Sequence, residues 1–504
     1  MKKIWTILLA VAMMLPLAAC TPSEGNIDTD GTKDQTEAEV TTVGETEKET
    51  FFETNGNTEL DEHKYDCGLP ENLSFGGKEI GILYVDGRES ELISTAPGNG
   101  VVSDAVYERN LAVENRLGVK FVFHRVGDGT ATASSLEDMV GSGDTTAEIF
   151  TLSADLCMTP VTRGAYVDLN GVEHVDLSKM YWCRGYNDMM TLQNKQFVVS
   201  SPAAVTLLQL QYSTLFNRTL LARRGLPDLY DVVDSGDWTL DYQLSLAQDV
   251  YEDTDGNGKE SKYDFYGFVT GSNVSLDGYC VGANVPLISH DAEGKLYYSG
   301  ADESVSERFS ALNEKVSALY NVHGTYVCAN NYIMSKFAFD ECLMSTALFS
   351  YVESCIYVLD DMNFGMAPLP KLTKEQTAYR TYVEGANTTF GISAAVTDAA
   401  RRDMLGAVME AMAYYSNELV RPAYYEHALP EGFLQDARSR KALDDLYENI
   451  AFDYCFVENV GELRNTLRGV LPTPNAPMDT YQKQWKKTVK NGLARYMRDL
   501  DELQ

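Results

Sequence analysis

Basic side chains are scarce. Lys and Arg number 41 against 74 Asp and Glu in 504 residues, a formal net charge of −33. That balance argues against a nucleic-acid partner, which needs a basic face to displace counterions. It equally disfavours lying flat on an anionic membrane surface. Histidine is rarer still, six scattered residues, so a His-centred nucleophile or zinc site has no support. The spacings HExxH, GxSxG and GxxxxGK[ST] are all missing, which removes the common zinc-protease, hydrolase and phosphate-loop readings. No CxxC pair occurs among the nine cysteines, against a zinc or redox motif. Beyond the first 20 residues no apolar run is long enough to span a bilayer.

What is present begins with an export signal. Lys2 and Lys3 precede an apolar core at residues 4–15, too short for a spanning helix. Leu17-Ala18-Ala19-Cys20 resembles a bacterial lipobox, which implies cleavage before Cys20 and acyl chains such as palmitate on the new terminus. The other reading is an ordinary signal peptide with a chance cysteine. Several acyl chains hold firmly where one is marginal, so the mature chain is expected at the outer face of the cell membrane, anchored and not embedded. Export permits disulfides. The scattered spacing of the eight later cysteines gives no framework, and no pairing is assigned.

Residues 21–66 hold 14 acidic against 3 basic side chains with few apolar ones. Such a stretch cannot bury enough surface to fold, and its charges repel it into an extended state. It is expected to be a tether, the alternative being a partner-binding tail. The body, residues 67–504, is too long for one compact core, so two domains are expected. KEIGILYV at 78–85, VKFVFHR at 119–125 and AEIFTL at 147–152 read as strands, with helical spacing at 101–118 and 134–141 between them. That alternation predicts an α/β fold with a parallel sheet and crossover helices. Ligands of such sheets lie beyond the carboxyl ends of the strands. Asp86, Arg88, Glu89, residues 127–130 and Asp155 therefore mark the expected mouth.

Residues 216–264 carry the densest signals. A helix from Thr219 is stopped by Gly225 with Pro227 beyond it. Trp238 precedes Thr239, a good helix N-cap, and Leu240, Leu244, Ala247 and Val250 follow at helical spacing. The loop 253–264 then places Asp253, Asp255, Asn257 and Asp264 at positions 1, 3, 5 and 12. Gly258 sits at position 6, and Lys259 stands at position 7, where such loops use the backbone carbonyl. This is the spacing with which an EF-hand-type loop wraps a Ca²⁺ ion. The same residues also make good turns, and position 12 is Asp where such loops carry Glu, so a structural calcium site and a plain turn both stand.

The run Phe216-Asn217-Arg218, the helix ending Arg223-Arg224-Gly225-Leu226-Pro227, Asp237-Trp238-Thr239, the acidic loop and Tyr266-Gly267 together resemble extracellular solute-binding lipoproteins of ABC importers. The similarity is to the sugar-binding branch that includes the maltose-binding type. It implies a two-lobe, periplasmic-binding-protein-like α/β fold of class II. Lobe 1 would comprise about 73–196 and 390–415, and lobe 2 about 197–370 with part of the C-terminal helices. It implies a monomer that is no enzyme and takes a carbohydrate, its partners being permease subunits. Some such relatives bind Ca²⁺ at a comparable loop.

The resemblance also nominates ligand residues. Trp182, beside Tyr181, falls where the family has an aromatic pair near the cleft. An aromatic face stacks on the C–H face of a pyranose, though ordinary core packing explains it equally. Tyr279 and Asn284 lie in a Gly- and aromatic-rich stretch similar to a cleft-side helix. Tyr351 follows a stretch similar to a buried helix–strand passage, and Glu384 and Asn387 lie between two segments similar to the return crossing of the lobes. The competing functions are a surface glycan-active enzyme, whose carboxylate pair would need roughly 5–10 Å separation across a cleft, and a surface adhesin.

Overall fold

The computed structural model describes residues 67–127 and 129–502. The signal peptide, Cys20 and the acidic tether lie outside the described residues. The first lobe follows the alternation read from the sequence: β1 (Lys78–Val85), α1 (Val101–Leu117), β2 (Val119–Val126), α2 (Gly129–Ser142) and β3 (Ile149–Ser153). Gly118 closes α1 in the left-handed region at φ 59°, a conformation glycine adopts at no steric cost. The second lobe is built from β4 (Tyr212–Asn217), α3 (Leu240–Ala247), β5 (Phe265–Gly271), α4 (Val274–Gly282), α5 (Glu303–Asn321), β6 (Thr325–Cys328), α6 (Asn330–Ala338), β7 (Cys342–Leu348) and β8 (Phe364–Ala367). The chain then returns through β9 (Thr388–Ile392) to α7 (Ala399–Tyr415) and finishes with α8 (Leu463–Val470) and α9 (Met478–Asp501).

Two sheets result. The first has the order β9-β3-β1-β2. Its strands β2 and β3 run parallel to β1, while β9 is antiparallel to β3. The second has the order β6-β5-β7-β4-β8, with Tyr251–Glu252 added antiparallel to β5. Here β5 is parallel to β6 and β7, whereas β4 is antiparallel to β7 and β8. The centre of β1 is buried, and β5 and β7 are buried throughout. These continuous apolar runs are what a sheet covered on both faces requires. At Gly81 a Cβ would come within 2.1 Å of the Thr146 carbonyl oxygen, so the neighbouring segment can lie against β1 only over glycine.

Trp238 anchors the second lobe. Its ring is fully buried, its indole N–H donates to the Pro368 carbonyl at 2.8 Å, and Thr239 caps α3 by accepting the Tyr242 N–H at 3.3 Å. Helix α9 buries Trp485, Val489, Leu493, Met497 and Leu500 on one stripe, the amphipathic pattern of a helix docked on a core. The eight cysteines of the described residues form no disulfide with one another, and six are buried. Among the described residues no helix is long and apolar enough to cross a membrane.

Candidate functional site

The segments linking the lobes pair with one another and with β9. Gln211 bridges Val383, Val199 bridges Phe390, and the Glu384 N–H donates to the Leu210 carbonyl at 3.1 Å. The loop after β1 grips these crossings. Arg88 donates through Nη2 to the Ala386 carbonyl at 2.9 Å. Glu91, buried beside it, accepts from the Thr206 N–H (3.1 Å), the Thr206 hydroxyl (2.8 Å) and the Thr388 hydroxyl (2.8 Å). Burial raises the Glu91 carboxyl; Arg88 and these hydrogen bonds oppose the rise. Asp86, at the same strand end, pairs with Arg125 near the carboxyl end of β2.

Beyond β3 the main chain binds the crossing directly. The Ala154 N–H donates to the Asn387 carbonyl and the Asp155 N–H to the Gly385 carbonyl, both at 2.8 Å. Gly385 is the meeting point. A Cβ there would lie 3.2 Å from the Phe456 carbonyl oxygen, 3.4 Å from the Asp155 Cβ and 3.4 Å from the Val457 Cα. This brings Asp155 of lobe 1, Glu384 of the crossing and Glu458 of the C-terminal region to one place.

The second lobe faces them with the carboxylate of Asp277 on α4, gripped by Arg468 of α8 through Nε (2.9 Å) and Nη2. Tyr382 donates to Asp277 at 3.4 Å, stacks on Tyr212 with ring centroids 5.5 Å apart, and meets Phe456 edge-on at 6.0 Å. Arg464 donates to the Phe456 carbonyl at 3.0 Å.

The electrostatics are those of a crowded acidic site. Burial is the largest influence on Glu384 and raises it; Asp277 and Asp155 push the same way, while Arg468 and Arg464 pull back. Asp155 is raised by burial, against the Ser153 side chain and Arg464. Glu458 is pushed up to about 7, first by burial and then by the charge of Asp155, with the Tyr496 hydroxyl and Arg464 opposing. Carboxylates that accept, guanidiniums that donate in a fixed fork and phenols that do either form a set suited to a polyhydroxylated ligand.

The residues nominated from the sequence separate into three groups. Glu384 lies in the cluster, and Asn387 beside it is fully buried, its Nδ2 3.5 Å from the Ser200 hydroxyl and its Oδ1 without a partner among the described residues. Tyr351 is half-buried on the helix Phe349–Ser354 that leaves the carboxyl end of β7, near enough for its phenol to act on Tyr212.

Trp182 and Tyr279 face interiors. Trp182 is buried in the first lobe, its indole N–H donating to Glu410 at 3.0 Å beside Tyr181. That is the packing alternative, because a ring sealed against α7 presents no face to a sugar. Tyr279 is fully buried, its hydroxyl 3.2 Å from the Gln243 side-chain oxygen. Asn284 lies just past the far end of α4 and lines a separate cavity. Asp277, Arg464, Arg468, Glu458, Tyr212 and Tyr382 were not singled out by the sequence. Their one signal, a charged residue amid apolar neighbours on a helix, is visible for Asp277 within LDGYCV.

In the acidic loop the carboxylate oxygens of Asp253, Asp255 and Asp264 lie within 4.8 Å of one another. Asp253 accepts the Asn257 and Gly258 N–H groups at 3.1 and 2.8 Å, the Asn257 side chain accepts the Lys259 N–H at 2.7 Å, and Gly256 turns the chain at φ 70°. Burial pushes Asp264 up, but N–H donation from Ser261 and Thr254 outweighs it and the carboxyl is lowered. Three converging carboxylates with an amide oxygen nearby fit a hard divalent cation.

No family model matches the chain, and no curated protein matches it in sequence. Solved structures do. UspC of Mycobacterium tuberculosis is similar at 12% identity over 82% of this chain and 100% of that one, with a TM-score of 0.54. A cyclic α-maltosyl-1,6-maltose-binding protein from Arthrobacter globiformis is similar at 13% identity over 83% and 100%, TM-score 0.53. A sugar transporter structure from Rhizobium etli in an open conformation is similar at 13% identity over 82% and 99%, TM-score 0.52. At these identities the likeness establishes the fold, which is a two-lobed, periplasmic-binding-protein-like α/β architecture.

Proposed function

We propose that the protein is the substrate-binding component of an ABC importer. It captures a sugar or oligosaccharide between its lobes and delivers it to a permease, held at the outer face of the membrane by lipid on Cys20. One observation carries the reading. Asp155, Glu384 and Glu458 meet at Gly385, where the first lobe, a crossing segment and the C-terminal region join, facing the Asp277–Arg468 pair of the second lobe. A ligand that touches both sides binds the closed arrangement better and so raises its population. The neighbours that bind cyclic and linear maltosaccharides by their descriptions favour a carbohydrate.

Thermal unfolding against a panel of sugars, oligosaccharides, amino acids and peptides tests it. A ligand at about 100 times its dissociation constant adds about 2.7 kcal/mol, a shift of a few degrees for a chain of this size. A shift with one saccharide series, and no turnover, is expected. A shift with amino acids or peptides alone discards the carbohydrate, and turnover of the glycan replaces the importer with an enzyme.

The acidic loop completes the reading as a structural Ca²⁺ site, with Asp253, Asp255, Asn257, the Lys259 carbonyl and Asp264 as ligands. The convergence of three carboxylates supports it. Chelation by EDTA is expected to lower the unfolding temperature, and Asp253→Ala to abolish that response. Calorimetry showing no heat of Ca²⁺ binding overturns it.

A further inference from the structure

At the opposite end of α4 from Asp277 lies a cavity of about 320 Å³, lined among others by Asp188, Asn284, Ser289, His290, Arg380 and Asp453. Arg380 is half-buried there, yet it makes no hydrogen bond and no ion pair with any described residue. Burial lowers its pKa, and the charged group that adds to the lowering is another guanidinium, Arg308 of α5. Arg308 is spent on backbone, donating to the Ala283 and Asn284 carbonyls at the end of α4 (2.6 and 3.3 Å), and it too forms no ion pair among the described residues.

Two neighbouring guanidiniums without a carboxylate are unexpected in a chain with 74 acidic side chains, because an uncompensated, desolvated cation is costly. Two further polar groups at the cavity wait for a partner. The Asn284 side chain has none among the described residues, and the buried Nε2 of His290 makes no hydrogen bond there, although the Thr191 and Met189 backbone lies beside the ring. Asn284 is itself held at φ 53°, outside the region most side chains prefer. The two carboxylates of the lining are otherwise placed. Asp453 is buried and accepts the Leu287 and Cys455 N–H groups at 2.7 and 2.9 Å, and Asp188 is exposed at the rim.

We infer that this cavity binds a small oxyanion, a phosphate or carboxylate group, across Arg380, with Asn284 and His290 around it. A guanidinium offers two parallel N–H donors to such a group. The site lies about one helical turn, roughly 5–8 Å, along α4 from Asp277, and the inference stands independently of the saccharide reading.

The test is thermal unfolding of the protein with inorganic phosphate against chloride at matched ionic strength. Phosphate is expected to raise the unfolding temperature by a few degrees and chloride is not. Arg380→Gln is expected to lose the phosphate response while unfolding, without phosphate, at the parent temperature or above it, since an unpaired cation has been removed. Asn284→Gly, which glycine's tolerance of positive φ leaves unstrained, is expected to weaken the response without abolishing it. Absence of a phosphate effect on the parent, an equal effect of chloride, or an undiminished response in both variants overturns the inference.

Discussion

Glu458 stands half-buried near Asp155, with the Tyr496 hydroxyl 3.4 Å away as its hydrogen-bond partner. Folding raises it from an ordinary 4.5 to about 7, so the folded chain holds this proton more tightly than the unfolded one. The sign follows from linkage. Its stabilising contribution is complete below about 4.5 and is lost as pH rises through about 7. Stability measured by denaturant between pH 5 and pH 8 is therefore expected to fall across that window, and Glu458→Gln is expected to flatten the fall. An unchanged profile in the variant contradicts the assignment.

The same scale shows why side-chain nominations from sequence divide as they do. Glu384 is legible because a carboxylate between two extended, Pro- and Gly-punctuated runs has few places to go but a junction. Arg88 and Asp155 are legible because each lies just past the carboxyl end of a parallel strand. Trp182 and Tyr279 are not, since an aromatic ring serves a core and a sugar equally well and only the face it turns decides. Glu410, which receives the Trp182 indole, lies 228 residues away and gives no local warning.

Among elements, the coupling of α4 to α8 has the largest consequence. Asp277 is buried on α4 and its two oxygens are both taken by Arg468, 191 residues further on. Removing one partner leaves the other charge buried and unpaired, a loss of about 3–5 kcal/mol. Asp277→Asn is accordingly expected to lower the free energy of unfolding measured by denaturant by that amount, and Asp277→Asn with Arg468→Met to recover part of it. A single variant as stable as the parent removes this pair from the account. The elements themselves were largely readable. The strand at 78–85 appears as the pattern has it, α1 ends one residue before the expected 118, and α2 begins five residues ahead of the expected 134. The docking of α8 was not readable, because it depends on pairs such as Asp277 with Arg468 that share no sequence neighbourhood.

For the whole molecule, the crossings between the sheets determine what can move. Residues near 199–211 and 383–388 hydrogen-bond to one another and are held by Glu91 and Arg88, so any closure of the lobes turns about this strip. The acidic cluster lies on the same strip, so under the proposed function a ligand held there would sense the separation of the lobes. Two lobes and a returning strand were legible from the strand–helix alternation and the resemblance; which face of each lobe meets the other was not, since it depends on long-range packing. The most direct test is calorimetric titration of the saccharide found by the unfolding panel into the parent, Asp155→Asn and Glu384→Gln proteins. Saturable binding to the parent, weakened at least about tenfold (about 1.4 kcal/mol) in both variants, with the saccharide recovered intact, is the expected result. Binding that both variants retain at parental affinity would contradict a site between the lobes.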